Sequence, residues 1–223
     1  MRVNIGVALA RAGRPREAAA EYRQALAIRP GDAETHHHLG AALAEDGKFD
    51  EAIGEHRKAI ELWPKGGSQT DLAAVYDYLG RALAGKGDMN GAILELERAT
   101  RLHPGFGPHL YDYALALTQV GRIEEAQQSV EAALKAQPDL VEARELRGGL
   151  LARKKQFAEA AGEYRQALKL RPDLSRLHLA LANMLAAQGD RAGVVQHLRE
   201  AAKARDPQVA QEASRLLQQL GQR

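Results

Sequence analysis

The sequence predicts an all-α solenoid of about six helix-turn-helix repeats, finished by a C-terminal capping helix. Three observations carry that expectation. The phrase EYRQALAIRP at residues 21–30 returns as EYRQALKLRP at 163–172, and its mixed chemistry is too varied for low complexity. Prolines that follow helix-like runs, at Pro30, Pro64, Pro104, Pro138 and Pro172, are spaced by 34, 40, 34 and 34 residues, which places six extra residues between Pro64 and Pro104. Three slots keep the same beat in six successive units. One holds Ala25, Ala59, Ala99, Ala133, Ala167 and Ala201, a second Leu9, Leu43, Leu83, Leu117, Leu151 and Leu185, and a third Gly6, Gly40, Gly80, Ala114, Gly148 and Ala182.

The register divides a single solenoid domain into repeats 1–32, 33–66, 73–106, 107–140, 141–174 and 175–208. Each reads as two amphipathic helices with apolar residues three and four apart. Glycines at 13, 47, 87, 121 and 189 sit between the halves, where a helix ends in a left-handed residue that glycine adopts without strain. Repeat five departs from the pattern, with Arg147 in place of leucine and Lys155 in place of glycine. Repeat six has Val194 for alanine, and Asp206 just before Pro207. In the insertion, 67–72, Gly66 and Gly67 end the preceding helix, and Ser68 to Asp71 has the spacing of a helix start. An early start to the next helix is expected, with a partner-contacting protrusion as the alternative. Residues 209–220 carry an apolar stripe of Val209, Ala210, Ala213, Leu216, Leu217 and Leu220, suited to covering the open end of the stack.

Composition narrows the function classes. With 31 Lys plus Arg against 29 Asp plus Glu, the net charge of +2 offers no field for nucleic acid or an anionic membrane. Cysteine is absent, so disulfides, thiolate metal sites and thiol nucleophiles are excluded. No apolar run approaches the ~18 residues of a membrane span, and no membrane insertion is expected. The cytoplasm is the favoured compartment, with the periplasm open if a leader was removed. Arginine outnumbers lysine 22 to 9, a composition that hints at a GC-rich bacterial genome. Only three Phe, one Trp and six Tyr are present, which suits alanine-rich helices in close approach.

Leu39-Gly40, Gly47, Ala52, Ala59 and Pro64, with Leu79-Gly80, Ala92, Ala99 and Pro104, resemble the tetratricopeptide repeat. The aromatic slot of that signature is degenerate here, holding Arg2, His36, Tyr76, Leu110, Arg144 and His178. The resemblance implies a right-handed superhelix whose first helices line a concave groove. It also implies a non-catalytic protein-interaction scaffold that binds a peptide or helical segment of another protein. The alternative is a self-associating or intramolecular solenoid arm excised from a larger protein. Val3, Val7 and Ala10 fall at inward positions of the family pattern with no preceding helix, so the N-terminal edge is the expected self-association surface.

By that register the groove displays His37, Asp77, Arg81, Tyr111, Gln119, Glu145 and Asn183. Asp77 and Arg81 are four apart and read either as an ion pair along one helix or as ligand contacts. Arg81 and Tyr111 are the expected binding anchors. Only Asn4, Arg81 and Asn183 match the Lys and Asn pattern of a carboxylate clamp, which argues against that mode. Successive helical residues at His36, His37 and His38 point about 100° apart and cannot converge on one metal ion. His103 and His109 flank a Gly-Phe-Gly-Pro connection and are read as loop residues. Arg153, Lys154 and Lys155, with Arg144 and Arg147, are read as a solvated turn, with anion contact as the alternative. No phosphate loop or Ser, His and Asp motif is present, so no catalytic residue, cofactor or metal is expected.

Overall fold

A computed structural model describes residues 1–221. Among them are thirteen α-helices and no strand, the all-α repeat architecture that the periodicity implies. They form two compact units, Met1–Arg122 and Ile123–Arg223. The first holds the hairpins α1 (Arg2–Arg11) with α2 (Pro15–Ile28), α3 (Ala33–Glu45) with α4 (Phe49–Leu62), and α5 (Gln69–Lys86) with α6 (Met89–Leu102), followed by α7 (Gly107–Gln119). The second holds α8 (Ile123–Ala136), the hairpins α9 (Val141–Arg153) with α10 (Phe157–Leu170) and α11 (Ser175–Ala187) with α12 (Arg191–Ala201), and the closing helix α13 (Pro207–Gly221).

Local chemistry sets the helix ends. Gly13, Gly47, Gly87, Gly121 and Gly189 all take positive φ, and Lys155 holds the same left-handed conformation at φ 61° despite its side chain. Asp88 and Asp190 cap α6 and α12 by accepting from the amides of Gly91 and Gly193, each at 2.9 Å. Ser68 Oγ accepts from the Asp71 amide at 3.2 Å, so α5 starts inside the insertion and runs 18 residues against 13 for α3. The inserted residues thus lengthen a helix, as the capping spacing suggested.

The small-residue slot explains why the ten-residue phrase recurs. A Cβ on Gly6 would come within 2.5 Å of the Tyr22 ring, and one on Gly148 within 2.7 Å of the Tyr164 ring. Gly40 faces the His56 ring in the same way at 2.8 Å, and Gly80 faces Leu96 at 2.6 Å. Each tyrosine of the phrase therefore needs a glycine on the facing helix, and the remaining seam is filled with fully buried alanines such as Ala52, Ala59, Ala160 and Ala167.

In repeats one, two and five the degenerate aromatic slot has become a polar brace between the two helices of a hairpin. Arg2 pairs with Glu21 at 3.1 Å, His36 Nδ1 meets Glu55 at 2.6 Å, and Arg144 pairs with Glu163 at 3.1 Å. Two braces also reach back to the end of the preceding repeat. His36 Nε2 lies 2.9 Å from the Pro30 carbonyl, and Arg144 Nη2 donates to the Pro138 carbonyl at 2.7 Å. Both partners of His36 are acceptors, so its ring fills both bonds only when each nitrogen carries a hydrogen. Arg147, which stands where leucine was expected, joins the same carboxylate of Glu163 at 3.1 Å. At the C-terminal end, Ala213 is buried and Val209, Leu216, Leu217 and Leu220 pack on the core of α9 to α12.

Candidate functional site

In the first unit the leading helices lie side by side, α1 on α3, α3 on α5 and α5 on α7. Side chains on α3, α5 and α7 form a connected run across that face. The His37 ring stands edge-on to Tyr78 with centroids 5.1 Å apart, and 5.2 Å from His56. The Arg81 guanidinium lies 5.1 Å from the Tyr78 ring centroid, and its Nε is 3.9 Å from Asp112 Oδ2. Behind Asp112, buried Asp77 places Oδ1 3.0 Å from His109 Nδ1, close enough for an ion pair but without the alignment of a hydrogen bond.

This arrangement perturbs several titrations. Burial, then the charge and hydrogen bond of Asp77, push the Asp112 carboxyl up to about 7, against the opposing pull of Arg81 and His109. Burial depresses His37 to about 4, helped by His38 and opposed by Asp71. Burial also depresses His56 to about 3, helped by His37. Both His56 nitrogens are enclosed without a hydrogen-bond partner.

Beside this run the insertion walls a cleft of about 640 Å3. Its lining includes Asp32, Glu34 and His37 from the start of α3, Trp63 from the end of α4, and Gly67 and Asp71 from the insertion. Gly67 lies so close to the indole that a Cβ there would come within 2.8 Å of Trp63 Nε1.

Comparison with known proteins agrees with the fold. Tetratricopeptide-repeat profiles match residues 6–47, 31–104 and 111–175. The chain belongs to the tetratricopeptide repeat family. Curated protein sequences give no match. Among solved structures, the Cut9-Hcn1 hetero-tetramer of the APC/C superposes with a TM-score of 0.80 at 17% identity, covering 98% of this chain and 42% of that one. PilF of Pseudomonas aeruginosa also gives 0.80, at 19% identity over 96% of this chain and 95% of that one. YrrB, described as a TPR protein with an unusual peptide-binding site, gives 0.64 at 20% identity over 87% of this chain and 97% of that one. At these identities the likeness is one of fold.

The tetratricopeptide register selected seven groove residues, which the structure distributes unevenly. His37, Asp77 and Arg81 join the run on α3 and α5, but Asp77 is buried rather than displayed. Tyr111 is half-buried on α7, and Gln119 is exposed at the end of that helix. Glu145 and Asn183 belong to the second unit. There Glu145 forms a forked pair with Arg176 at 2.8 Å, and Asn183 is exposed on α11. The expected pairing of Asp77 with Arg81 is not what forms. Asp77 turns to His109, and Arg81 reaches the next leading helix at Asp112. His109 is not a loop residue but a buried member of the first turn of α7, edge-on to Phe106 at 4.6 Å. The three consecutive histidines diverge, His36 to Glu55, His37 to Tyr78, and His38 to a stack on Tyr22 at 5.6 Å. Asp112 and Trp63 escaped the sequence reading. Asp77 with His109, and Arg81 with Asp112, each lie roughly one repeat apart, so matching charges across one period would have found them.

Proposed function

We propose that this repeat protein is a non-catalytic interaction scaffold that holds an extended segment of a partner protein on the α3, α5 and α7 face of its first unit. The carrying observation is Arg81, whose side chain is 55% exposed while its guanidinium is held between the Tyr78 ring and Asp112. A cation held in place beside aromatic surface matches the composition of binding hot spots, where Tyr and Arg dominate. The family supports the general role, since its members commonly bind other proteins, and YrrB is described as binding peptide. A random-peptide display selection against the purified chain tests the reading. Peptides so recovered are expected to lose about tenfold or more in affinity toward Arg81→Glu with unchanged helicity. Undiminished binding to that variant would remove this face from the proposal.

A second reading, self-association through the N-terminal edge, is favoured by the exposed apolar side chains of Met1, Ile5 and Ile28 around α1 and α2. Sedimentation of the chain and of an Ile5→Glu, Ile28→Glu variant distinguishes the two. A concentration-dependent mass that disappears in the variant supports association, and an invariant monomer rejects it.

A further inference from the structure

We propose that the cleft walled by the insertion is the anchor pocket for a basic side chain, arginine or lysine, of the bound partner segment. The inference rests on the peptide-binding reading above and names the chemistry that the segment carries. Three carboxylates line the cleft, from Asp32, Glu34 and Asp71, and none of its lining residues is a lysine or arginine. These acids are not equivalent. Asp32 already meets Arg29 at 3.2 Å and Thr35 Oγ1 at 3.0 Å, while the largely exposed Glu34 meets His38 at 3.6 Å. Asp71 is exposed on the first turn of α5 and makes no ion pair among the described residues.

The remaining wall suits a cation with an apolar stem. The Trp63 indole faces the cleft, and an aromatic surface attracts a guanidinium or ammonium group whose methylenes pack against it. Two histidines also line the cleft: burial keeps the His37 ring neutral at neutral pH, and His38 lies 3.6 Å from Glu34, so the carboxylate without such a neighbour is Asp71. In the same wall, Trp63 Nε1 and His37 Nδ1 are enclosed without hydrogen-bond partners. An indole nitrogen can only donate, so a peptide carbonyl entering with the side chain supplies the acceptor it lacks once the Gly67 turn that covers it shifts aside. The volume, about 640 Å3, lies within the ~300–1,000 Å3 of ordinary ligand clefts and leaves room for backbone beside a long side chain. The pocket also opens next to the run on the first-unit face. His37 lines it and touches Tyr78, which carries Arg81. A segment anchored here therefore continues onto that face.

The chain's single tryptophan is Trp63, so its fluorescence and its indole proton–nitrogen NMR signal report on this pocket alone. The probes are N-acetyl-arginine amide, N-acetyl-lysine amide and the uncharged N-acetyl-glutamine amide. The two basic amides are expected to shift the indole signal saturably, with the glutamine amide about tenfold weaker, and added salt should weaken the basic probes. Asp71→Asn should weaken arginine amide about fivefold, and Glu34→Gln by a smaller factor. Both variants keep the Ser68 cap, and circular dichroism checks their helicity. Equal response to glutamine and arginine amides, or no response to any probe at roughly 50 mM, a concentration that detects millimolar binding, would overturn the pocket. So would full arginine binding by the folded double variant. If display-selected peptides still depend on Arg81 while these probes fail, the pocket is wrong and the scaffold reading stands. If the basic amides bind but no selected peptide depends on Arg81, the face is wrong and the pocket stands.

Discussion

The hairpin of α3 and α4 in the first unit and that of α9 and α10 in the second solve the same packing problem with different chemistry. Gly148 admits the Tyr164 ring, and Gly40 admits the His56 ring. Arg144 braces α9 to Glu163, and His36 braces α3 to Glu55. The α9–α10 hairpin thus keeps its permanent cation at the edge and a phenol in the seam. The α3–α4 hairpin places imidazoles in both positions, including one whose two ring nitrogens are enclosed and unpartnered. A repeat slot therefore specifies size and reach more strongly than residue type. Exchanging a phenol for an imidazole should make the α3–α4 hairpin respond to mild acid before its twin.

The largest effect should come from closing the glycine slot. Gly148→Ala places a methyl against the Tyr164 ring and should cost about 1–3 kcal/mol in chemical denaturation, with Gly40→Ala similar. Adding Tyr164→Leu to Gly148→Ala should recover part of that loss, because it recreates the alanine and leucine found at Ala182 and Leu198 in the core of the same unit. A double variant no better than the single one would show that ring and glycine are not a matched pair.

Acid should separate the two hairpins next. His37 and His56 are held neutral in the fold, with pKa values lowered from 6.5 to about 4 and about 3, so the unfolded chain takes up protons first as pH falls. Their contribution is full above pH 6.5 and is lost progressively toward pH 3 to 4. Asp112 acts in the opposite sense. Its raised pKa means that the fold binds a proton before the unfolded chain does, which offsets part of the loss between about 7 and 3.8. Hydrogen exchange corrected for intrinsic rates should therefore show α3 and α4 opening before α9 and α10 on acidification. Asp112→Asn should make that opening more pronounced. Matching acid profiles for the two hairpins in that variant would contradict the assignment.

His56→Leu should remove much of the acid sensitivity and raise stability at neutral pH by about 1 kcal/mol, since it ends the enclosure of two unpartnered nitrogens. Leu96 already occupies that slot opposite Gly80, so the volume is acceptable. A clear loss of stability would mean that the imidazole has a partner in solution. The smallest change belongs to the turn between α9 and α10. Lys155→Gly should gain about 0.5–1 kcal/mol by relieving a left-handed backbone, measurable as a small rise in Tm.

The period, the turn glycines, the exit prolines and the early start of α5 could be read directly, because each is a local backbone requirement written in one or two residues. The degenerate slot could not be interpreted, since a brace joins residues on two helices and the sequence marks neither end as a pair. Aligning the units on their glutamates, at Glu21, Glu55, Glu95 and Glu163, would have suggested it. The burial of Asp77 and the cleft beside Trp63 were hidden for a different reason. Both depend on how neighbouring repeats meet around an insertion, which a strict period does not describe.

The braces that reach back to the Pro30 and Pro138 carbonyls act as stiffeners across a joint. Each ties the opening turn of one hairpin to the connection that leads into it. The joint after Pro64 has a lengthened helix instead, and its slot residue Tyr76 lies against Arg98, a neighbour from its own hairpin, at 5.8 Å. Within the first unit the joint after Pro64 should therefore yield under load more readily than the joint after Pro30, much as a beam flexes where a cross-tie is omitted.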